Sequence, residues 1–445
     1  MKRLASYDPS NGDLLGEVPV TGTGQIGEVV DSALVASKGW RQLKTTDRVQ
    51  ILARAYAQFE SHFERLTQLL SREMGKDIRR ASGEVSGVVH GGPYIAEDAM
   101  RALQSKDLGG GSRLEYRPLG VAAVIAPWNY PLAMANNLIV PALVAGNGVV
   151  FKPSEETPLI AQEFAEILNQ VLPPDLLQIV HGDGEQGQAL VEGEVDMIAF
   201  TGSQAVGRQI MAHAAGQLKR LVMELGGNDP MIVMADADIE HAARFAVASS
   251  FENAGQMCTS TERIYVDETV AERFEQRVVE FARQYQIGPW NQPGVNIGPI
   301  INAKQHGKIL EHIRDAEAKG ARVLLGGSEQ AERYITPTAI CDISPDMLLE
   351  RDETFGPVVA IGRYRSIDQA IERANDTDYG LGAVVFGGSQ AATVADRMEA
   401  GMIGVNQGVG GAGEAPWVGA KQSGFGFHGS PAGHRQFAQV RVLSN

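Results

Sequence analysis

The stretch Val121-Ala-Ala-Val-Ile-Ala126-Pro-Trp-Asn-Tyr-Pro131 decides the fold of this chain. Its first six residues are apolar, a pattern typical of a strand buried on both faces, and two prolines then break it. A helical pattern follows over residues 132–145, and another short apolar run occupies residues 149–151. A strand, a helix and a strand in this order predict a crossover unit in a parallel sheet.

The same alternation of strand and helix patterns continues along the chain in two blocks. In the first block, further strands are predicted at 177–180, 197–200 and 231–233, and helices at 159–171 and 204–215. In the second block, strands are predicted at 263–266, 358–361, 383–386 and 402–405, and helices at 270–284, 304–319, 367–375 and 391–399. A helical pattern also covers 48–72, where Asp47 is a candidate cap and Gly75 a candidate stop. The fold class is therefore α/β, with a boundary near Gly226-Gly227.

Composition excludes several classes of protein. The 445 residues carry a formal net charge of −15, which argues against binding a nucleic-acid backbone or an anionic membrane. Two cysteines, Cys258 and Cys341, are too few for a disulfide framework or a cysteine-rich metal site. Prolines and asparagines interrupt the most apolar region, residues 121–151, so no membrane span is expected there. The N-terminus lacks the apolar run of a signal peptide, and a cytoplasmic protein is the expectation.

Two loops that follow predicted strands are candidates for binding a nucleotide. Ser203, in Phe200-Thr-Gly-Ser203, lies where free backbone N–H groups at a helix start and a hydroxyl can bind an anion. An ordinary helix cap followed by a packing glycine is the alternative. Lys152 and Glu155 can grip ribose hydroxyls, and the carboxylate would reject the extra phosphate of NADP. The alternative there is a solvated loop with an exposed ion pair.

The pattern Gly-x-Gly-x-x-Gly occurs twice, and each match is weak in a chain with 51 glycines. The match at residues 22–27 follows only a two-residue apolar run. The match at 182–187 follows a plausible strand, but its acidic residues would repel a pyrophosphate. Neither match alone establishes a dinucleotide site.

Three residues have the side chains that acyl chemistry needs. Cys258 has Asn, Gly, Gln and Thr neighbours, which favours a nucleophile, whereas Cys341 has apolar and β-branched neighbours and is assigned a structural role. Glu224 ends an apolar strand before two glycines and could serve as a base if it is buried. Asn129 follows a strand and offers an oxyanion a neutral donor. The alternative interpretation of Glu224 is a glutamate that faces solvent, and that of Asn129 is an ordinary turn residue.

Eight motifs, in order along the chain, resemble those of the NAD(P)-dependent aldehyde dehydrogenase superfamily, and the resemblance extends from about Tyr7 to Val442. The motifs are Pro127-Trp-Asn-Tyr-Pro131, Pro141-Ala-Leu-Val-Ala-Gly-Asn147, Lys152-Pro-Ser-Glu155, Phe200-Thr-Gly-Ser203, Glu224-Leu-Gly-Gly227, Gly255-Gln-Met-Cys258, Glu353-Thr-Phe-Gly-Pro357 and Lys421-Gln-Ser-Gly-Phe-Gly426. Eight ordered matches are far more specific than any one of them.

The resemblance implies a role for each of these positions. Cys258 would be the nucleophile, Glu224 the general base, and Asn129 an oxyanion donor beside the Cys258 backbone N–H. The cofactor would be NAD, with NADP disfavoured by Glu155. Because the family binds NAD without a standard Gly-x-Gly-x-x-Gly turn, Gly24 is not expected to contact it. The implied cofactor contacts are Pro127, Trp128, Lys152, Ser154, Glu155, Gly184, Gly202, Ser203, Leu225, Gln305, Lys308, Glu353 and Phe355.

The implied reaction is oxidation of an aldehyde to a carboxylic acid through a cysteine thiohemiacetal and a thioester that water hydrolyses. A CoA-acylating enzyme is one alternative, against which Glu224 argues. A catalytically silent protein of the same fold is the other, against which Cys258, Glu224 and Asn129 argue together. The sequence leaves the aldehyde open among aliphatic, aromatic and semialdehyde substrates.

The implied fold is a Rossmann-like cofactor domain at 1–100 and 118–226, an α/β catalytic domain at 227–425, and a small β oligomerisation hairpin from 101–117 and 426–445. A homodimer or homotetramer is expected. Two departures from the family pattern concern function. Leu138 replaces a common lysine and so removes any proton relay through it, and Pro416-Trp-Val-Gly-Ala420 replaces Pro-Phe-Gly-Gly beside the expected aldehyde tunnel.

Overall fold

The computed structural model describes residues 2–410 and 414–444, which fold mainly around two large sheets. Residues 1, 411–413 and 445, which the predicted domain ranges include, lie outside the described residues. The strands are β1 Arg3–Tyr7, β2 Leu14–Pro19, β3 Lys106–Gly109, β4 Ser112–Pro118, β5 Val121–Ile125, β6 Gly148–Lys152, β7 Leu177–Ile179, β8 Met197–Gly202, β9 Arg220–Leu225, β10 Asp229–Val233, β11 Thr261–Asp267, β12 Arg322–Leu325, β13 Thr338–Cys341, β14 Val358–Tyr364, β15 Gly382–Phe386, β16 Met402–Val405, β17 Gly424–Phe425 and β18 Ala438–Ser444. The α-helices are α1 Ile26–Trp40, α2 Thr45–Ala57, α3 Phe63–Met74, α4 Ile78–Ala102, α5 Pro131–Ala145, α6 Pro158–Asn169, α7 Gly184–Glu192, α8 Gln204–Ala215, α9 Ile239–Ser250, α10 Ala271–Ala282, α11 Ala303–Ala318, α12 Leu348–Arg351, α13 Ile367–Asn375, α14 Ala391–Ala395 and α15 Pro431–Arg435.

The first large sheet has the strand order β17-β9-β8-β5-β6-β7 and is parallel except for the edge strand β17. Successive residues of β5 point to opposite faces, and both faces are covered by helices. Ala122 and Val124 pack with α5 and α6, whereas Val121 and Ala123 pack with α1, α7 and α8. Burial on both faces explains why β5 is apolar throughout, and the predicted crossover units are confirmed.

The second large sheet has the order β12-β13-β14-β11-β10-β15-β16, with only the edge strand β12 antiparallel. Helices α9, α10 and α11 pack on one face, and α13 and α14 pack on the other. Cys341 is fully buried in β13 on the first of these faces, in the core position that its neighbours indicated. The α/β class and the four predicted strands of the second block are therefore confirmed.

A smaller sheet joins the chain's end to its middle. β18 pairs antiparallel with β4, which pairs with β3, and Val440 lies opposite Tyr116. The tail therefore pairs within its own chain. No helix among the described residues combines the length and the hydropathy that a membrane crossing requires.

Some predicted helix bounds were wrong. Residues 48–72 form two helices, α2 and α3, joined by a 3₁₀ turn at Gln58–His62, because apolar spacing does not reveal a local tightening of the helix. Asp47 lies inside the first turn of α2, where a carboxylate also stabilises the helix, and Lys44 precedes that helix. Gly75 ends α3 with φ +84°, as predicted. Helix α14 ends at Ala395 rather than at residue 399.

Candidate active site

Cys258 lies in a constrained loop between the 3₁₀ turn Glu252–Gly255 and β11. Asn253, Ala254 and Gly255 have φ values of +51°, +58° and +73°. The left-handed region is costly for the two residues that carry a Cβ, and such strain concentrates at functional sites. Gly255 has a further constraint, because a Cβ there would lie 2.0 Å from the carbonyl carbon of Gly356.

Buried amide side chains hold this loop in place. Gln256 accepts a hydrogen bond from the Ile301 N–H at 3.0 Å and donates one to the Asn253 carbonyl at 3.1 Å. Asn253 in turn donates to the Gln256 carbonyl at 3.1 Å. These bonds offset the backbone strain and fix the position of Cys258, which lies two residues after Gln256.

Asn129 lies against the same loop. Its side-chain Nδ2 donates to the Gln256 carbonyl at 3.1 Å, and the residue is only 6% exposed. Its own carbonyl accepts bonds from Lys76 Nζ at 2.8 Å and from Asn253 Nδ2 at 3.3 Å. Asn129 is therefore a fixed amide donor close to the nucleophile loop rather than a solvated turn residue.

Lys76 is a buried cation that the sequence analysis missed. Its Nζ lies 2.5 Å from Glu84 Oε2 and 3.6 Å from the ring centroid of Tyr130. Burial lowers the pKa of Lys76, while the Glu84 charge opposes that shift. Leu138, at the position where the family commonly has a lysine, lies on α5 and is only 1% exposed. No sequence signal marks Lys76, which simply follows the glycine that ends α3.

Glu224 is a buried carboxylate at the end of β9, 4% exposed, and does not face water. Its Oε1 accepts hydrogen bonds from Cys258 Sγ at 3.3 Å and from Trp417 Nε1 at 2.8 Å. Its Oε2 accepts one from the Thr201 hydroxyl at 3.3 Å. The structure therefore brings Glu224 directly against the Cys258 thiol.

The Cys258 thiol is protonated near neutral pH. Burial, followed by the negative charge of Glu224, raises the pKa of this thiol well above its usual range. The thiol donates its hydrogen to the carboxylate, so a proton acceptor already lies at 3.3 Å when the sulfur attacks an electrophile.

The two glycines after Glu224 let three chain segments approach each other. A Cβ at Gly227 would lie 2.5 Å from the Cys258 carbonyl oxygen, and one at Gly226 would lie 2.5 Å from Glu353 Oε1. Glu353 also accepts a bond from the Gly227 N–H at 3.1 Å. Side chains at these positions would displace both the nucleophile loop and Glu353.

A cleft of about 930 Å³ opens at the carboxyl ends of the parallel strands β5, β6 and β8. Most of the predicted cofactor contacts line it: Pro127, Trp128, Lys152, Ser154, Glu155, Gly184, Gly202, Ser203, Gln305 and Lys308. The glycines at 22–27 are not among the described residues that line it.

Three predicted contacts lie elsewhere. Glu353 lines a neighbouring cleft together with Ser203 and Lys308. The Phe355 ring packs edge-on against Trp128, with centroids 5.5 Å apart, and Leu225 is 8% exposed at the end of β9. Neither Phe355 nor Leu225 is among the described residues that line the large cleft.

The large cleft has the chemistry that a dinucleotide requires. Helices α7 and α8 begin at its wall, at Gly184 and just after Ser203, so backbone N–H groups are available to an anion. Lys152 is 4% exposed and its Nζ lies 3.8 Å from Glu155 Oε2, which gives hydroxyls a donor and an acceptor. The residues present therefore suit a pyrophosphate and a ribose.

A second cavity, of about 220 Å³, borders the nucleophile loop. Met257 and Thr259, the neighbours of Cys258, both line it. The polar residues among its other walls are Ser249, Thr261, Glu252 and Asp229, and the rest are apolar or glycine. Glu252 accepts bonds from Arg80 Nε at 2.8 Å and from the Tyr130 hydroxyl at 3.2 Å.

Arg263 does not reach this cavity. Its side chain is fully buried and donates to the carbonyls of Asn228 and Ala374 at 2.9 and 3.1 Å. The described residues contain no cluster of three or more His, Cys, Asp or Glu side chains that could hold a metal ion.

Trp417 and His428 are two further residues near Glu224 that sequence reasoning did not assign. They pair as an isolated antiparallel bridge, with the Trp417 N–H 2.9 Å from the His428 carbonyl. His428 Nε2 lies 3.8 Å from Glu224 Oε2. The departure from the family motif at residues 416–420 was the available signal for Trp417.

Comparison with known proteins identifies the family of this chain. The model of the aldehyde dehydrogenase family matches residues 1–443. The mitochondrial succinate-semialdehyde dehydrogenase of Arabidopsis thaliana is 36% identical over 99% of this chain and 87% of that protein. The NADP⁺-dependent succinate-semialdehyde dehydrogenase of Escherichia coli is 35% identical over 98% of this chain and 93% of that protein.

Solved structures agree in fold. An NADP-dependent enzyme of E. coli superposes with a TM-score of 0.95 at 34% identity, covering 99% of this chain and 94% of that one. Aldehyde dehydrogenase C of Pseudomonas syringae, complexed with NAD⁺ and octanal, also gives 0.95, at 31% identity, covering 100% of this chain and 93% of that one. This chain therefore belongs to the aldehyde dehydrogenase family, enzymes that oxidise aldehydes to acids with NAD(P).

Proposed function

We propose that this enzyme oxidises its aldehyde through a covalent adduct on Cys258. The observation that carries the proposal is the 3.3 Å contact between Cys258 Sγ and Glu224 Oε1. The Asn129 amide is held on the same loop, 3.1 Å from the Gln256 carbonyl. A nucleophile and a base are thus in contact, and an oxyanion donor is held against the loop that carries the nucleophile.

In the first step the Cys258 sulfur adds to the aldehyde carbon, and the thiol proton passes to Glu224. Negative charge develops on the carbonyl oxygen, where Asn129 Nδ2 and the Cys258 backbone N–H can donate hydrogen bonds. One such donor is typically worth about 3 kcal/mol in the transition state. The amide is neutral and fixed, so it stabilises the oxyanion without supplying a proton.

When bound, the nicotinamide of NAD(P) accepts a hydride from the adduct carbon. Lys152, Glu155 and Ser203 would hold the adenosine ribose and the pyrophosphate in the large cleft. Glu353, fixed by the Gly227 N–H, would lie at the nicotinamide side. Oxidation leaves an acyl group on Cys258 as a thioester.

Once Glu224 has released the thiol proton, it removes a proton from water, which attacks the thioester carbon. The carbon–sulfur bond breaks, the acid is released, and Glu224 returns the proton to the sulfur. This buried base supports hydrolysis over transfer to coenzyme A, because acyl transfer to a thiol does not require a base that activates water. The three assembled groups also argue against a catalytically silent protein.

We infer that NAD is preferred to NADP. The Glu155 side chain is 46% exposed in the large cleft and lies 3.8 Å from Lys152 Nζ, the pair proposed to hold the ribose. A carboxylate at that position repels a 2′-phosphate. Several relatives are named as NADP⁺-dependent, so the cofactor must be tested directly on this chain.

We also infer that the aldehyde carries no carboxylate near the reacting end. Relatives in A. thaliana and E. coli are named for succinate semialdehyde, whose single carboxylate needs a cation. In this chain Glu252 lines the cavity beside Cys258, and Arg80 is already paired with Glu252 and Asp77. An apolar aldehyde suits the Phe245 and Val409 walls of this cavity better.

The enzyme is proposed to assemble as a homodimer or homotetramer through the sheet of β18, β4 and β3. Leu108, Val440 and Val442 on this sheet are 50%, 45% and 59% exposed. Apolar side chains grouped at an exposed sheet are typical of an interface.

The proposed function is tested by NADH formation from a panel of aldehydes, with and without coenzyme A. Wild-type enzyme should produce NADH and free acid, and coenzyme A should not change the product. Cys258→Ala should abolish NADH formation, while the matched variant Cys341→Ala, which changes the buried cysteine of β13, should retain it. Acyl-CoA as the main product, or turnover by Cys258→Ala, would contradict the proposal.

A further inference from the structure

Glu224 has a second titratable neighbour on the side away from the thiol. His428 Nε2 lies 3.8 Å from Glu224 Oε2, whereas Cys258 contacts Oε1. His428 is 2% exposed, and neither of its ring nitrogens has a hydrogen-bond partner among the described residues. The imidazole and the thiol therefore approach different oxygens of one carboxylate.

A buried imidazole without hydrogen-bond partners lowers the stability of the folded protein. Leaving a buried donor or acceptor unpaired destabilises a protein by about 1–3 kcal/mol, so such a group calls for a reason. The backbone holds this one in place, because the Trp417 N–H donates to the His428 carbonyl at 2.9 Å. The same pairing brings the Trp417 indole to Glu224 Oε1 at 2.8 Å. Two adjacent chain segments thus present one fixed donor and one unpaired imidazole to the base.

We propose that His428 is the residue through which Glu224 gives up the proton it takes from the Cys258 thiol, so that Glu224 can take a proton from water during thioester hydrolysis. This inference rests on the proposed function, since it concerns the step that releases the acid. A base that still holds the thiol proton cannot activate water, and burial cuts Glu224 off from bulk water. His428 supplies the acceptor that such a site needs.

Two protons pass through Glu224 in one turnover. The thiol proton, taken when the sulfur bonds to the aldehyde carbon, passes from Oε2 of Glu224 to Nε2 of His428, which becomes an imidazolium and releases the proton before the next turnover, and Glu224 regains its charge. Water then loses one proton to Glu224 as its oxygen bonds to the thioester carbon, the sulfur of Cys258 leaves with the bonding electrons, and Glu224 returns that proton to the sulfur. The 3.8 Å separation is longer than a hydrogen bond, and such contacts commonly shorten in the working complex.

The surroundings of His428 allow it to take a positive charge. Besides Glu224 on β9, the titratable group facing it is His434 on α15, which lies 3.1 Å from Asp98 on α4. Burial lowers the pKa of His434 to about 4, so His434 is neutral near pH 7 and does not repel an imidazolium. Asp98 also pairs with Arg101, which is half exposed, so this group of side chains extends to the protein surface.

The test compares His428→Ala and His428→Gln with wild type and with His90→Gln, a control at an exposed histidine of α4. Hydride transfer precedes the proposed step, so both His428 variants should release a burst of one NADH per active site before a slow phase. The steady-state rate should fall about tenfold or more, and the aldehyde KM should fall with it so that kcat/KM stays unchanged. Added imidazole should restore turnover in His428→Ala.

The burst and the imidazole rescue are independent readouts, because a merely structural role of His428 would produce neither. Unchanged kcat, or a lower kcat without a burst and without imidazole rescue, would overturn the proposal. Wild-type formation of NADH and acid is measured in the same assay, so failure of the proposed function is distinguished from failure of this inference.

Discussion

The indole N–H of Trp417 donates a 2.8 Å hydrogen bond to Oε1 of Glu224, the same oxygen that accepts the Cys258 thiol. The two residues are 193 positions apart in the chain. A second donor on this oxygen leaves the carboxylate one favoured orientation, toward the sulfur. Trp417 is therefore assigned as a positioning residue for the base.

Trp417→Phe keeps an aromatic ring but removes the donor. Hydrogen bonds to charged groups contribute about 1.5–3 kcal/mol, so we expect hydrolysis to slow by about tenfold or more. An NADH burst followed by a reduced steady-state rate, with kcat and the aldehyde KM falling together, is the expected result. Trp290→Phe is the matched control. A changed KM with an unchanged kcat would instead identify Trp417 as a substrate contact only.

The raised pKa of Cys258 predicts a low reactivity of the free enzyme toward iodoacetamide. The thiolate is the reactive form, and a pKa well above the usual range keeps the thiol protonated at neutral pH. Alkylation should therefore accelerate steadily as the pH rises from 7 through the ordinary range of cysteine pKa values. Peptide mass spectrometry measures the fraction of Cys258 alkylated over time at each pH. A plateau reached below pH 8 would show that the thiolate already predominates at neutral pH.

Glu155→Gln should raise kcat/KM with NADP while leaving that with NAD little changed. Removing one negative charge beside the proposed ribose site eliminates its repulsion of a 2′-phosphate. A gain of about tenfold corresponds to about 1.4 kcal/mol. Glu166→Gln, an exposed charge change on α6, is the control. Equal use of NAD and NADP by wild type would contradict the role given to Glu155.

Glu252→Gln should improve turnover of succinate semialdehyde relative to an uncharged aldehyde of the same length. The wild-type carboxylate lines the cavity beside Cys258 and repels a substrate carboxylate. Removing it also frees Arg80, which Glu252 pairs at 2.8 Å. The measurement is the ratio of the two kcat/KM values. A wild-type preference for the semialdehyde would refute the inferred substrate class.

The sequence predicted the parallel strands because burial on both faces makes each one a continuous apolar run, as in β5 and β6. The apolar pattern did not mark β4, whose Ser112–Pro118 alternates charged and apolar residues and pairs with β18 at the far end of the chain. Only the family resemblance placed residues 101–117 with 426–445 in a small β hairpin. The apolar pattern also did not mark α4, whose helical pattern is interrupted by glycines and Pro93. Strands and helices of this kind are stabilised by contacts with residues distant in the sequence, so the local pattern does not predict them.

Some residues of the candidate site were predictable from the sequence, and others were not. Cys258, Glu224 and Asn129 each follow or end a recognisable element, so local pattern and family motifs were enough to select them. Lys76 and His428 carry no local signal, because each reaches the site only through tertiary contacts. Burial and unpaired ring nitrogens, which mark His428, become visible only in three dimensions.

The measurement that tests the central claim most directly is trapping of the acyl-enzyme. Glu224→Gln retains the thiol and the oxyanion donors but lacks the base, so hydrolysis should be the step that fails. Incubated with NAD and an aldehyde and then acid-quenched, this variant should carry the mass of one acyl group on the peptide that contains Cys258. Cys258→Ala in the same background should carry none. An unmodified Cys258 peptide despite NADH release, or an acyl group on another residue, would contradict covalent catalysis at Cys258.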